Sequence, residues 1–344
     1  MSNATIDDVA QLAGVSPKTV SRVVNREPNV RESTREKVER AIAELSYRPN
    51  QFARSLASQR SNLIGLIYDD PSAYEVPSSG YVMRLQQGSL RACRAAHYEL
   101  LIHPCRYASK DVAAELEALL RQINPAGIIV AAPLSNMPRI VNAIEASRTP
   151  FVRLSPGRED HPQFTVVTND RQISAEMTRY LASLGHRRIA FIKGHPKHEA
   201  VRNRYLGYRD GLRASGLTYS PQLVAQGDNS IATGESCATT LLDSKNPPTA
   251  IFAANDDMAA GVMRVAAKRG IPVPERLSVA GCDDIALARQ IHPSLTTIRQ
   301  PLASMAEVAA RVLIEDARRE APRRGVEVVP GTIQFRESTG PAPS

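Results

Sequence analysis

Apolar residues recur at helical spacing three times within the first 46 positions. In the stretch TIDDVAQLAGVSPKTVSRVVN, from Thr5 to Asn25, Ile6, Val9, Ala10 and Ala13 share one face of a first helix. Thr5 with Asp8 three residues on has the pattern of a capping box. Gly14 is the natural stop, since only glycine turns into left-handed geometry without a side-chain penalty. Ser16 can cap a second helix, with Pro17 at the first position, where its missing N–H is harmless. Val20, Val23 and Val24 give that helix an apolar stripe, leaving Pro17, Lys18, Ser21, Arg22 and Asn25 on other faces. A third helix is expected from about Thr34 to Ser46, with Val38, Ala41, Ile42 and Leu45 at helical offsets. A helix-turn-helix divides its residues this way: one face docks on a small core and the other enters the major groove. An ordinary helical hairpin shares the spacing, so the residues that follow decide between them.

From Ser61 the texture changes to short apolar runs alternating with helical patterns. Runs at 62–68, 127–130, 151–152, 188–192, 250–254 and 278–281 read as buried strands. Helical stretches are expected near 83–97, 171–184, 203–214, 234–242, 258–269 and 303–319. Strands buried on both faces and alternating with helices call for parallel sheets covered by helices. Two such α/β units fit the length. One is expected at 61–162 completed by 296–329, the other at 163–295 with 330–340.

After the headpiece pattern come REKVERAIAELSYRPN and then ARSLAS, a segment too short to be a stable isolated helix. With TIDDVAQLAGVSPKTVSRVVN these stretches resemble the lactose-repressor/galactose-repressor family of bacterial transcription regulators, and the resemblance covers essentially the whole chain. It implies an all-α headpiece over 1–47, a hinge helix and linker over 48–60, and a two-lobed, periplasmic-binding-protein-like effector domain. It also implies a homodimer on a palindromic double-stranded operator. Thr5, Ser16, Pro17, Lys18, Thr19, Ser21, Arg22 and Asn25 would meet DNA from the headpiece, and Asn50, Ala53 and Leu56 from the hinge. Leu56 matches the family's leucine that wedges between the central base pairs and opens the minor groove.

Ligands of parallel α/β sheets sit outside the carboxyl ends of the strands, between lobes. Asn255-Asp256 and Asp283-Asp284 each follow a strand directly, Arg204 opens a helix, and Gln300 lies where the chain crosses between lobes. An arginine fork, a carboxylate and carboxamides suit a polyhydroxylated ligand. Arg204, Asn255, Asp283 and Gln300 match the family's sugar-contacting positions, while Asp256 and Asp284 read better as helix caps or lobe-bridging ion pairs. Asp69 and Tyr74, after the first strand, are further candidates. One position departs from the family: Asn229 stands where many sugar-binding members place a stacking aromatic. Tyr74, Tyr81 or Phe164 would then replace that platform, or the effector is not a simple hexose. His195-Pro196-Lys197-His198-Glu199 has the look of a metal cluster but lacks further ligands nearby, so its histidines read as loop or cleft residues. Neither metal nor cofactor is expected.

Composition adds little to this and excludes several classes. The formal charge is +8, but residues 1–60 hold ten Lys/Arg against seven Asp/Glu, too mild a surplus to establish DNA binding alone. Cys93, Cys105, Cys237 and Cys282 are scattered without metal or redox spacing and read as buried thiols of a reducing cytosol. With neither a membrane span nor a signal peptide in the sequence, a cytoplasmic regulator is expected rather than a transport-type binding protein. No G-x-S-x-G, P-loop, G-x-G-x-x-G or H-E-x-x-H pattern supports an enzyme. The absence of a leucine-heptad tail favours a dimer over a tetramer. Whether the effector releases DNA as an inducer or promotes binding as a corepressor stays open, as does a non-sugar metabolite.

Overall fold

A computed structural model describes residues 4–24, 30–45, 47, 61–69, 80–157, 162–196, 199–317 and 322–343, which form two compact units divided after Ser61. In the first unit, helices α1 (Ile6–Ala13), α2 (Pro17–Val24) and α3 (Glu32–Glu44) pack around Val9, Ala10, Val20, Val23, Val38 and Ala41. The third helix starts two residues before the expected Thr34. The capping box closes both ways: the Thr5 N–H donates to Asp8 Oδ2 at 2.7 Å, and the Asp8 N–H donates to Thr5 Oγ1 at 3.3 Å. Gly14 ends α1 at φ 65°, donating its N–H back to the helix.

The second unit holds two six-stranded sheets. The first runs β11-β5-β4-β3-β1-β2, all parallel: β1 Leu63–Asp69, β2 Glu99–Cys105, β3 Gly127–Val130, β4 Phe151–Leu154, β5 Thr165–Val167 and β11 Val326–Val328. One face packs on helices α4 (Gly80–Ala95) and α12 (Leu302–Asp316) through Leu85, Met305, Ala306, Ala309 and Leu313. The other carries α5 (Val112–Ile123) and α6 (Pro138–Ala146) on Leu116, Leu120, Ile140 and Ile144.

The second sheet runs β12-β10-β9-β8-β6-β7, parallel except for β12. Its strands are β6 Ile189–Lys193, β7 Val224–Gln226, β8 Ala250–Ala253, β9 Ser278–Asp283, β10 Thr296–Arg299 and β12 Thr332–Gln334. Helices α7 (Asp170–Ser183), α8 (Glu199–Ala214), α9 (Ile231–Leu242) and α10 (Asp256–Lys268) cover it, and the short α11 (Leu287–Gln290) follows β9.

Two expected boundaries shift. Thr165–Val167, expected in the second lobe, pairs with β4 and β11 of the first. Thr296–Arg299, expected in the first lobe, pairs with β9 and β12 of the second. The chain therefore crosses at 168–169, 300–301 and 329–331. A three- or four-residue strand carries no mark of which sheet edge it extends, so its partner is set by topology alone. Asn169 Oδ1 accepts the Gly331 N–H at 2.8 Å and ties the first crossing to the third.

Candidate functional site

In the headpiece, α2 buries Val20 and Val23 in the common core and turns Pro17, Lys18 and Arg22 outward, with Thr19 and Ser21 half-buried. Its start is held by the Ser16 hydroxyl, which accepts the Thr19 N–H at 3.2 Å. The exposed side chains therefore sit on a short rigid helix rather than on a loop. Asn25, Asn50, Ala53 and Leu56 lie outside the described residues, as does Tyr74 in the effector unit.

The effector unit brings Arg204, Asp283 and Gln300 together at the carboxyl ends of the second sheet. Arg204 Nη1 lies 3.5 Å from Asp283 Oδ1, and Gln300 Nε2 donates to that same oxygen. Asp283 and Asp284 have φ of 123° and 53°, two successive left-handed residues without glycine. Strain of this kind persists only where the surroundings over-determine it, and it concentrates at working sites. The overdetermination is visible at Asp284. Its carboxylate takes Arg299 Nε at 2.6 Å and Arg336 Nη2 at 2.5 Å, and its carbonyl accepts Arg84 Nη2 from the first lobe at 2.7 Å.

Asp170 completes the cluster and was absent from the sequence-based candidates. It is buried and pairs with Arg204 Nε at 2.9 Å. The signal was available: Asn169-Asp170 follows β5 as Asn255-Asp256 follows β8, an amide and an acid at a strand's carboxyl end. Tyr81, from the first turn of α4, faces the same group. Burial and then the Asp283 carboxylate push its phenol pKa up. Burial also holds Asp170 above the ordinary carboxylate range against the pull of Arg204. It raises Asp283 to about 6, with Arg204 and Gln300 opposing.

Other candidates turn to internal tasks. Asn255 caps α10 by accepting the Met258 N–H at 3.0 Å, and its amide donates to the Asn229 carbonyl at 2.9 Å. Asp69 Oδ1 accepts the Tyr107 N–H at 3.0 Å from the loop after β2. Asp256 is fully buried, accepting the Ile285 N–H at 2.9 Å and the Thr297 hydroxyl at 2.5 Å. The four cysteines are all buried thiols. Among the described residues no group of His, Cys, Asp and Glu has a metal-holding arrangement, and no helix is long and apolar enough to cross a membrane.

Comparison with known proteins agrees with both units. Residues 5–50 match the model for bacterial regulatory proteins of the lacI family, and residues 178–339 that of a periplasmic binding protein-like domain. Catabolite control protein A of Priestia megaterium is 33% identical over 342 residues, spanning 98% of this chain and 99% of its own. The HTH-type transcriptional regulator GalR of Escherichia coli K12 is 34% identical over 315 residues, 90% of this chain and 88% of its own. Among solved structures, the lac repressor dimer bound to operator and the anti-inducer ONPF superposes with a TM-score of 0.84 at 27% identity, covering 98% of this chain and 100% of the other. The transcriptional regulator CelR–cellobiose complex does so at 0.75 with 29% identity, covering 97% and 99%.

Proposed function

The chain belongs to the lactose-repressor/galactose-repressor family of bacterial transcription regulators, and from that premise we propose that a sugar or sugar derivative, held between its lobes, controls its grip on a palindromic operator. It is a sequence-specific DNA-binding regulator, and its likeness to the lac repressor and to the transcriptional repressor PurR favours repression. The observation that carries the effector reading is the Arg204–Asp283–Gln300 cluster with Asp170 behind it: a fixed guanidinium, carboxylates and a carboxamide offer donors and acceptors in the mixture that vicinal hydroxyls need. A solved relative points the same way, the CelR regulator in complex with cellobiose.

In this reading a cytosolic homodimer sets one headpiece on each half-site, with Lys18, Ser21 and Arg22 reaching base edges and Thr5, Ser16, Pro17 and Thr19 supporting them. Asn25 and the hinge residues Asn50, Ala53 and Leu56 would add contacts from segments outside the described residues. Effector binding favours one lobe arrangement by a few kcal/mol, enough to shift operator affinity by one to two orders of magnitude. The test is a mobility shift of a selected palindromic duplex, repeated across a carbohydrate panel. A duplex that never shifts would sink the regulator's operator role. A shift that no sugar moves in either direction would sink the sugar and leave the DNA reading standing.

A further inference from the structure

Tyr107 and His195 meet across the cleft. Tyr107 follows β2 of the first lobe, and His195 follows β6 of the second. The phenol oxygen lies 3.2 Å from Nε2, and the rings pack edge to face, 6.0 Å apart with planes at 81°. Both residues leave the carboxyl ends of parallel strands, so the contact spans the space in which such folds hold ligands.

Each half is preset within its own lobe. Asp69 Oδ1 accepts the Tyr107 N–H at 3.0 Å, and Arg139 Nη2 donates to the Tyr107 carbonyl at 2.7 Å. Across the cleft, Asn229 Oδ1 accepts the His195 N–H at 3.3 Å, and Asn255 Nδ2 donates to the Asn229 carbonyl. Asn229 reaches that loop from a left-handed backbone, φ 77°, by passing over Gly194. A Cβ on Gly194 would sit 2.0 Å from its Oδ1. The position that departs from the family's aromatic is therefore occupied by a side chain that aims His195. Asp69 accepts from the backbone of one half of this pair, and Asn255 donates to Asn229, which holds the other.

We propose that Tyr107 and His195 form a split lock that holds the lobes together without effector and sets how much of the free protein is closed. The lock is independent of which molecule enters the cleft. A net hydrogen bond shifts a two-state ratio by about two- to twelvefold. That suffices to tune a hinge without freezing it. The Arg84–Asp284 contact bridges the lobes separately, so loss of the lock should loosen closure rather than abolish it.

Full-length protein without any ligand, carrying nitroxide labels at Ala118→Cys on α5 and Ala214→Cys on α8, reports the lobe separation by pulsed electron resonance; both positions are exposed, and the native cysteines are buried. Tyr107→Phe keeps the ring and loses only the hydroxyl, and His195→Ala removes the other half. Each should raise the long-distance population about two- to twelvefold, and the double variant no further than the larger single effect. Wild-type distances already at the open value, unchanged distributions in both single variants, or additive opening in the double would each overturn the lock. Circular dichroism and thermal melts of the same samples separate a folding failure of the effector unit from a failed lock, and operator binding tests the DNA reading by itself, because the headpiece is a separate compact unit.

Discussion

Asp256 has no access to solvent, yet it carries a carboxyl group. Burial, and after it the Asp283 carboxylate, push it up to about 8, against the hydrogen bonds from Thr297 and Ile285. The native state then keeps a proton that the unfolded chain releases near 3.8. Its contribution to stability is full below that value and is lost as pH rises toward 8. Urea midpoints followed from pH 4 to 8 should fall more gently for Asp256→Asn than for the wild type; parallel curves would refute the assignment. The Arg204–Asp170 pair makes a different demand. Arg204→Ala leaves Asp170 buried without its partner, and the second lobe should lose about 3–5 kcal/mol by denaturant titration. Asp283→Asn keeps the shape and is the cleaner probe: operator binding should persist while the response to effector fades. Retention of the full ligand response would remove Asp283 from the site. Asp283 and Gln300 were legible as candidates because each sits next to a strand or a crossing, and Arg204 because it stands near the start of a helical pattern. Asp69 and Asn255 were legible as strand-end residues, but nothing in the linear order says whether a strand-end polar group faces ligand or a neighbouring loop.

Helices announced themselves more clearly than strands. The α1–α2 pattern carries its own start, stop and stripe, and the structure closes the capping box that Thr5 and Asp8 imply. Thr5→Ala should destabilise the headpiece by about 1 kcal/mol in thermal melts, and operator affinity lost beyond that folding cost measures the contact Thr5 makes with DNA. On the exposed face of α2, Arg22→Ala should weaken operator binding by about 1–3 kcal/mol if the guanidinium reads a guanine edge. A loss that is uniform across operator sequences, with a shallower salt dependence, would assign it to phosphate instead. By contrast β2 (Glu99–Cys105) is an edge strand with alternating exposure and a proline near its end, a pattern too weak to stand out. The helices Val112–Ile123 and Pro138–Ala146 were likewise not singled out, although their apolar faces complete the first lobe.

At the scale of the molecule, the two-lobed plan follows from alternating patterns, but its interlacing does not. The first sheet opens at Leu63 and receives its last strand only at Val326–Val328, after the whole second lobe up to β10 has been laid down. On a ribosome the parts would ripen at unequal times. The headpiece core is complete once Ala41, Leu45 and Tyr47 have emerged. The first lobe must wait. Ile64, Ile129 and Val152 present an apolar face that Ala306, Ala309 and Leu313 cover some 240 residues after Ile64 was made. At about 5–20 residues per second, that face stays open for roughly 10–50 seconds of synthesis. Chains arrested near residue 300 should therefore carry a protease-resistant headpiece beside a first lobe that is readily cut. In released full-length chains the sheet and helices of the first lobe should resist as the headpiece helices do. Whether the early strands of the first lobe close at all is decided by a helix and a strand made after β10 of the second lobe.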